Sequence, residues 1–436
     1  MRKIYIWDRI VNFFAKERTN ENAKKAVSMA YLAKKRYMET DKVNFTAIFA
    51  SKLANLAVSE ANTTVIADSE KDILSAAFSE VWRRAKTITA GSLGVGGVFL
   101  IPYFKGGEIH TDVITQDRVF IEKTSGGKIL EATVLAESIR KNGQCFTRWV
   151  HYSLDTSKKT LSVSSMATAG GEVIPLSYVN EWQGVLPEIK ICECDQMLFA
   201  YLKSPADSKD TQEFYGVPIT YGCDSIIKEI YEHLAAISKE YKIKQAFIGA
   251  DSMLFSEEGK LPEEGIFKML SPLGSERDFW QEFNPEIRHE PYFKRLDQLY
   301  AMLEAAVGTS RGIITEISSG SATATEIKRA RFDTFSLVEE IRRNWEYAAS
   351  DLLKAFSVLL KFYKGIETGE MAVSFDWSYS LFESSDESFS QLKDGLKEGV
   401  ISKAELRQFL KPSESLELAE ENIKKITEKN KEENYA

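Results

Sequence analysis

The amino-acid sequence predicts an α+β protein with more than one globular part, and three observations support this prediction. Its 436 residues exceed the size of an ordinary single core. Apolar residues recur at helical spacing over residues 22–86, whereas from about residue 97 to residue 198 they alternate as in strands. Residues 323–363 keep one apolar face without any Gly or Pro. We therefore expect an N-terminal helical block, a β-rich middle and a very long helix.

The first fourteen residues, MRKIYIWDRIVNFF, begin with basic residues and continue mostly apolar, which superficially resembles a signal peptide. Asp8, Arg9 and Asn12 interrupt the apolar region, and no small-residue cleavage site follows. We predict an amphipathic helix that docks on its own protein or on a neighbour, with a membrane-surface anchor as the alternative. No apolar stretch approaches the roughly 20 residues that cross a bilayer.

Short glycine sequences divide the middle of the chain. KGGE, TSGGK, KNGQ and TAGGE are typical of tight hairpin turns, so we predict antiparallel strands on both sides of each. GSLGVGG, residues 91–97, follows a helical pattern and precedes a strand, the reverse of the order in nucleotide-binding loops, and it lacks a Gly-Lys-Ser/Thr ending. We expect a turn where two backbones approach closely rather than a phosphate site.

Cysteine content and charge limit the classes of function. Cys145, Cys192, Cys194 and Cys223 are too few and too scattered for a disulfide framework, so we expect a reducing environment. No histidine lies at metal-ligand spacing from Cys192 and Cys194, which predicts two buried residues on one strand and no metal. The net charge of −8 argues against a protein that wraps nucleic acid over its whole surface.

The second half contains two predicted helices around a small insert. Asp224 is the expected N-cap of a helix over residues 225–245, and Pro291 begins a helix that continues to residue 307. Residues 247–289, between them, alternate short apolar runs and turns, which predicts a small β-rich insert.

A loop and the longest helix follow. The loop GTSRGIITEISSGSA, residues 308–322, leads to a T-x-x-E capping box of Thr323 and Glu326. After the long helix, MAVSFDWSY predicts a strand with one buried face. Helices over residues 386–398 and from a second capping box, Ser402 with Glu405, are expected next, followed by a charged helical tail.

No motif in the sequence indicates catalysis. G-x-S-x-G, H-E-x-x-H and the Walker lysine motif are all absent, and the four histidines lie in separate segments. We therefore predict no enzymatic activity, no catalytic, cofactor-binding or metal residues, and no cofactor. A soluble acidic enzyme, or a peripheral helical adaptor that associates through the apolar face of residues 338–363, stays open as an alternative.

The order of elements resembles that of the portal proteins of tailed bacteriophages, the head-tail connector portals of the A118/SPP1 type. Three stretches carry the resemblance over roughly residues 215–410, almost half the chain. They are YGVPITYGCDSIIKEIYEHLAAISKEYK, SGSATATEIKRARFDTFSLVEEIRRNWEYAASDLLKAF and VSFDWSYSLFESSDESFSQLKDGLKEGVISKAELRQFL.

The resemblance implies a portal fold with long α-helices in stem and wing, a β-rich wing, a small α/β clip insert and a helical C-terminal crown. The implied divisions are the wing at residues 1–222, a stem helix at 223–246, the clip at 247–289, a second stem helix at 290–307, a tunnel loop at 308–322, the long wing helix and strand at 323–383, and the crown and C-terminal tail at 384–436.

The resemblance also implies a ring, usually of twelve subunits, at one capsid vertex. Double-stranded DNA would pass through its channel during packaging and ejection. Other implied partners are the terminase large subunit, a head-completion or adaptor protein, and the major capsid and scaffolding proteins, with no membrane partner. We therefore expect a structural protein of the virion, located at the portal vertex and assembled in the host bacterial cytoplasm.

Three sets of site residues follow from the resemblance. The tunnel loop would present to DNA Thr309, Ser310, Arg311, Glu316, Ser318, Ser319, Gly320 and Ser321. The candidate basic channel residues are Lys239, Lys242, Lys244, Lys328, Arg329 and Arg331, for which a solvated basic turn is the alternative. The candidate clip aromatics, in an interface or in the clip core, are Phe247, Phe255, Phe267, Phe279 and Trp280.

Overall fold

A computed structural model describes residues 21–208, 214–243, 247–251, 266–270, 280–283, 289–315, 324–377, 393–410, 419–420 and 422–424. Of residues 21–22, 242–289, 324–331 and 408–410 it describes at most the backbone. The chain divides into two compact units. The first comprises Met1–Ser59 and Thr63–Ser374, and the second comprises Glu60–Asn62 and Phe375–Ala436. The described residues combine helices and strands, which confirms the α+β class.

Four helices form the N-terminal block, as the apolar spacing predicted, together with one short strand that the spacing did not predict. They are α1 (Glu21–Tyr37), α2 (Phe45–Val58), β1 (Asn62–Ala67), α3 (Lys71–Trp82) and α4 (Ala85–Val95). The side chain of Asn44 caps α2, because its Oδ1 accepts a hydrogen bond from the Ala47 amide at 3.0 Å. Phe49 and Leu53 of α2 are completely buried. Burial of this apolar face stabilises the block.

The structure of the glycine-rich sequence GSLGVGG, residues 91–97, differs in part from the turn that was predicted there. Helix α4 continues through Gly91 and Gly94 and ends at Gly96, whose φ of 108° only glycine adopts readily. Burial of its neighbouring side chains offsets the roughly 1 kcal/mol that each helical glycine costs. The close backbone approach is confirmed, because a Cβ on Gly216 would lie 1.9 Å from the Gly96 carbonyl oxygen.

Two antiparallel sheets follow. One has the order β10-β2-β3; in the other, β4 to β8 lie in sequence order and β9 also pairs with β7. The predicted hairpin turns are all present, since both central residues of each have positive φ, as type I′ turns require. The strands are β2 (Gly97–Lys105), β3 (Glu108–Thr115), β4 (Val119–Ser125), β5 (Lys128–Lys141), β6 (Gln144–Asp155), β7 (Thr160–Ala169), β8 (Glu172–Ile174), β9 (Glu188–Cys192) and β10 (Ala200–Lys203).

The second half contains the predicted helix, insert, helix and long helix. Its elements are α5 (Asp224–Ile243), β11 (Phe247–Asp251), β12 (Ile266–Leu270), β13 (Trp280–Phe283), α6 (His289–Val307), α7 (Ala324–Lys364), β14 (Met371–Asp376) and α8 (Lys403–Leu410). In the insert, β11 lies between a parallel β12 and an antiparallel β13. Helix α7 has 41 residues and is therefore about 60 Å long. Strand β14 pairs with β1.

The main core lies between the six-stranded sheet and helices α1 and α7. Phe120, Trp149 and Leu161 of the sheet belong to one buried cluster with Ala355 and Leu359 of α7. Trp149 is 1% exposed, and its indole N–H donates to Thr168 Oγ1 at 3.1 Å. The long helix is therefore part of the core and not an appendage to it.

The second unit contains a confirmed capping box. The Ser402 amide donates to Glu405 Oε2 at 2.6 Å, and the Glu405 amide donates to Ser402 Oγ at 3.2 Å. This reciprocal pair starts α8 as predicted. Residues 393–397 are helical, within the predicted helix 386–398; the predicted charged tail lies almost wholly outside the described residues, as do Thr323 and the first twenty residues.

The prediction that Cys192 and Cys194 are both buried on one strand is wrong. Cys192 ends β9 and is exposed, whereas Cys194 is buried beyond the end of the strand. Between them Glu193 has a φ of 59°, which breaks the alternation of strand side chains. The cysteines are free, and burial raises the pKa of the Cys194 thiol.

Candidate functional site at the loop before the long helix

The loop that follows α6 is held by a single buried acidic side chain. Glu304, in the last turn of α6, is completely buried. Its Oε1 accepts hydrogen bonds from the backbone amides of Ile314 at 2.6 Å and Thr315 at 3.1 Å, and its Oε2 accepts one from Thr315 Oγ1 at 2.7 Å. Three donors compensate the carboxylate for its lost hydration.

The same residue also fixes the start of the loop. The Glu304 carbonyl accepts hydrogen bonds from the Thr309 amide at 2.9 Å and from Thr309 Oγ1 at 3.1 Å. Gly308 has a φ of 81°, which turns the chain away from the helix axis. Glu304 therefore binds both ends of the segment 309–315, one end through its backbone and the other through its side chain.

Neighbouring helices hold the segment from two further directions. The Ser310 amide donates to Thr334 Oγ1 of α7 at 2.9 Å, and the Thr334 amide lies 3.4 Å from Ser310 Oγ. Lys52 of α2 donates through Nζ to the Ile313 carbonyl. The segment 309–315 is thus attached to α2, α6 and α7.

Helix α7 is in turn attached to three other elements by buried polar contacts. Arg342, 3% exposed, donates through Nε to the Ala57 carbonyl of α2 at 3.2 Å. The Trp345 indole N–H donates to Thr89 Oγ1 of α4 at 2.7 Å, and Asn344 donates to the Lys203 carbonyl of β10 at 3.0 Å. These contacts fix both the rotation and the axial position of the helix.

Helices α5 and α6, which precede and follow the insert in the chain, pack side by side. Arg295 Nη2 lies 2.5 Å from Glu229 Oε1, and His233 Nε2 donates to the Tyr292 carbonyl at 2.8 Å. Tyr300 of α6 packs against Phe45 of α2 with ring centroids 5.9 Å apart, and burial raises the pKa of its phenol. These two helices therefore lie beside the N-terminal block.

The predicted tunnel-loop residues separate into three groups. Thr309 and Ser310 are 3% and 7% exposed, so the expectation that they face DNA is wrong for these two side chains. Their hydroxyl groups bind α6 and α7 instead. Arg311 is exposed. The remaining loop positions lie outside the described residues, namely Glu316, Ser318, Ser319, Gly320 and Ser321.

The basic and aromatic positions are placed mainly through their backbone. Lys239 is exposed on α5. Lys242 lies in α5, and Lys328, Arg329 and Arg331 lie in α7. In the insert, Phe247 pairs with Ile266 and Phe283, Phe267 pairs with Ile248, and Trp280 pairs with Ala250. Lys244, Phe255 and Phe279 lie outside the described residues.

The sequence prediction missed Glu304, the central residue of the site. A signal was available, because Glu304 lies next to Leu303 and one turn before Val307, on the buried face of α6. A carboxylate at such a position requires buried donors nearby. The sequence does not reveal that Ile314 and Thr315 supply them.

Among the residues that the structure describes, no group of three or more His, Cys, Asp or Glu side chains could hold a metal ion. No helix in the described part of the chain has both the length and the apolarity needed to cross a bilayer. Geometrically, the arrangement holds the segment 309–315 in a fixed position against Thr334 of the long helix.

No protein-family model matches this chain, and no curated protein sequence matches it.

Proposed function

We propose that this protein is the portal protein of a tailed bacteriophage, which forms a ring at one capsid vertex through which DNA is packaged and ejected. The observation that carries the proposal is the succession of α5, a three-stranded insert, α6, an anchored loop and the 41-residue α7. In this proposal α5 and α6 are the stem, β11 to β13 the clip and α7 the wing helix.

The anchoring of the loop supports this function. A loop that contacts moving DNA must keep its position under load, and it has no bound ligand to stabilise it. Glu304, Ser310 and Lys52 fix the base of the loop to three helices. Within this fixed segment Thr309 and Ser310 are buried and Arg311 is exposed, so Arg311 is the described loop residue that remains a candidate for contact with DNA.

Exposed apolar side chains on the proposed stem and wing helices support assembly into a ring. Phe293 and Met302 of α6 are 47% and 49% exposed, and Tyr347 of α7 is 65% exposed. Each is a large apolar side chain that the described part of a single subunit leaves in water. In a ring, neighbouring subunits would cover them.

The charge of the chain is consistent with a conduit. A net charge of −8 per subunit creates a wall that repels phosphate, whereas a strongly basic wall would hold the duplex by releasing counterions. DNA would therefore slide. The terminase and the head-completion adaptor would bind at the clip, whose edge strands β12 and β13 offer backbone groups for pairing.

Light scattering of the purified full-length protein tests the proposal. Twelve copies of a 49.2 kDa chain give a particle of about 590 kDa, and negative-stain images should show an annulus. A monomer or dimer at every concentration would reject the portal function and favour a soluble enzyme. A small bundle without a central hole would favour a helical adaptor.

Two variants of α6 show whether the ring depends on the exposed helix face. Phe293→Lys places a charge where a neighbour should pack, and it should shift the mass from the ring to the single chain. Lys294→Ala, at the adjacent exposed position, is the matched control and should leave the ring intact. If both variants assemble equally, this face is not in the interface.

A further inference from the structure

A cavity of about 600 Å³ lies between the N-terminal helices and the start of α5. Its walls include Ala26, Met29 and Ala33 of α1, Phe45 of α2 and Tyr231 of α5. Along α1 the lining is mostly apolar, whereas Lys25, Arg36, Glu39, Asn44 and Asp224 add charged and polar groups. The cavity therefore offers an amphipathic occupant both an apolar surface and polar partners.

Helix α1 leaves part of its apolar surface uncovered beside this cavity. Met29 is 44% exposed and Leu32 is 54% exposed, and the two lie one helical turn apart on α1. Both also line the cavity. This apolar pair continues the apolar lining that α1 gives the cavity, and together they form a docking surface for an amphipathic segment.

We propose that residues 1–14 of the same chain fold back along α1 as a helix and insert their apolar side chains into this cavity. Ile6, Ile10 and Phe13 recur at helical spacing in this segment. Asp8 and Asn12 lie on its opposite face, where they would remain in water.

The length of the connection suits this arrangement. Residues 15–20 separate the segment from the start of α1 at residue 21, and six residues are enough to reverse the direction between two helices. A helix over residues 3–14 is about 18 Å long, and Leu32 lies about 16 Å along α1 from its first residue. An antiparallel return places Ile6 beside Met29.

The short connection also favours the same chain over a neighbouring copy. A segment tied within six residues of its binding surface has a millimolar effective concentration there. Exchange with a neighbour would require the connection to extend away from α1. The occupant is therefore the chain's own N-terminal segment, and this inference does not depend on ring formation.

The docked segment would join the N-terminal helices to α5. Two of the contacts that now join them are polar and exposed: Arg36 Nη1 lies 2.7 Å from Asp224 Oδ1 with side chains 63% and 68% exposed, and Tyr231 Oη donates to the Val43 carbonyl at 2.6 Å. Exposed ion pairs contribute little stability. Apolar burial by the segment would add to the ring contact between Phe45 and Tyr231, whose centroids lie 5.9 Å apart.

Thiol labelling of the full-length protein tests the docking. Met29→Cys, in a chain whose exposed Cys192 is replaced by Ser, should react with maleimide at least ten times faster when Ile6→Asp and Ile10→Asp are also present. Lys35→Cys, exposed elsewhere on α1, is the matched control and should react at the same rate in both backgrounds. Equal rates at Met29→Cys would overturn the proposal.

A disulfide test identifies which chain supplies the segment. Ile6→Cys combined with Met29→Cys should form an intramolecular disulfide that runs as a faster monomer band under non-reducing conditions. Asp8→Cys with Met29→Cys, from the opposite face, should cross-link much more slowly. A ladder of dimers and higher species would mean docking on a neighbour and would overturn the assignment to the same chain, as would equal cross-linking of the two pairs.

Discussion

Replacing Glu304 by Ala should release the loop before α7 while the rest of the fold stays intact. The substitution leaves the amides of Ile314 and Thr315 and the Thr315 hydroxyl without their acceptor. A hydrogen bond to a charged group contributes about 1.5 to 3 kcal/mol, and buried donors left unsatisfied add to the loss. Water can enter the opened loop and bind these donors, which limits the loss. We therefore expect the free energy of local opening to fall by about 3 to 5 kcal/mol.

The exposed Arg311 in this loop makes the loss measurable by trypsin cleavage. Cleavage in a folded protein follows the population of the locally opened state when closing is fast. Since about 1.4 kcal/mol corresponds to a tenfold change, cleavage after Arg311 should accelerate about a hundredfold or more in Glu304→Ala. Glu304→Gln keeps one acceptor oxygen and should show a much smaller increase.

The control is Glu290→Ala, because Glu290 is an exposed glutamate on the same helix. It should cleave like the unaltered protein. If Glu304→Ala and Glu290→Ala are cleaved after Arg311 at the same rate, the buried carboxylate does not hold the loop and the reasoning about this site fails.

Three further outcomes are expected. Gly216→Ala, whose Cβ would lie 1.9 Å from a carbonyl oxygen, should lower Tm by many degrees, whereas Gly91→Ala, whose Cβ would meet its nearest atom at 3.7 Å, should leave Tm equal or higher. Backbone and side-chain hydrogen bonds lower the pKa of Glu405, so they stabilise α8 above the unfolded pKa of about 4.3 and are lost as pH falls through the folded value. An NMR titration should show this loss of helix, and Glu405→Gln should remove its pH dependence. In a double-mutant cycle, the changes in the free energy of unfolding caused by Trp345→Phe and Thr89→Val should differ from additivity by about 1 kcal/mol. Full additivity would mean that the hydrogen bond between the two side chains contributes nothing to stability.

Features encoded by neighbouring residues were predictable from the sequence. The four hairpin turns depend on two adjacent residues that accept positive φ, and the capping box depends on Ser402 and Glu405, three positions apart. The length of α7 follows from an apolar period without Gly or Pro. Each of these signals is local, so no knowledge of the tertiary structure was needed.

Features that depend on distant residues were missed. Thr309 and Ser310 have the composition of an exposed loop, but their burial depends on Glu304 and on Thr334, which lies far along α7. The helix through Gly91 was also missed, because burial outweighs the low helix propensity of glycine. Tertiary packing overrides local preference in both cases.

The attachments of α7 have a mechanical consequence. Thr334 accepts the hydrogen bond from the Ser310 amide of the loop, and Leu359, 25 residues further along, lies in the main core. A continuous helix spans the roughly 37 Å between them. Between these two positions, hydrogen bonds of its side chains attach it to α2, α4 and β10. A force applied to residues 310–315 would therefore be transmitted along the rigid helix to the large β-sheet. Little deformation would occur at the point where the force is applied.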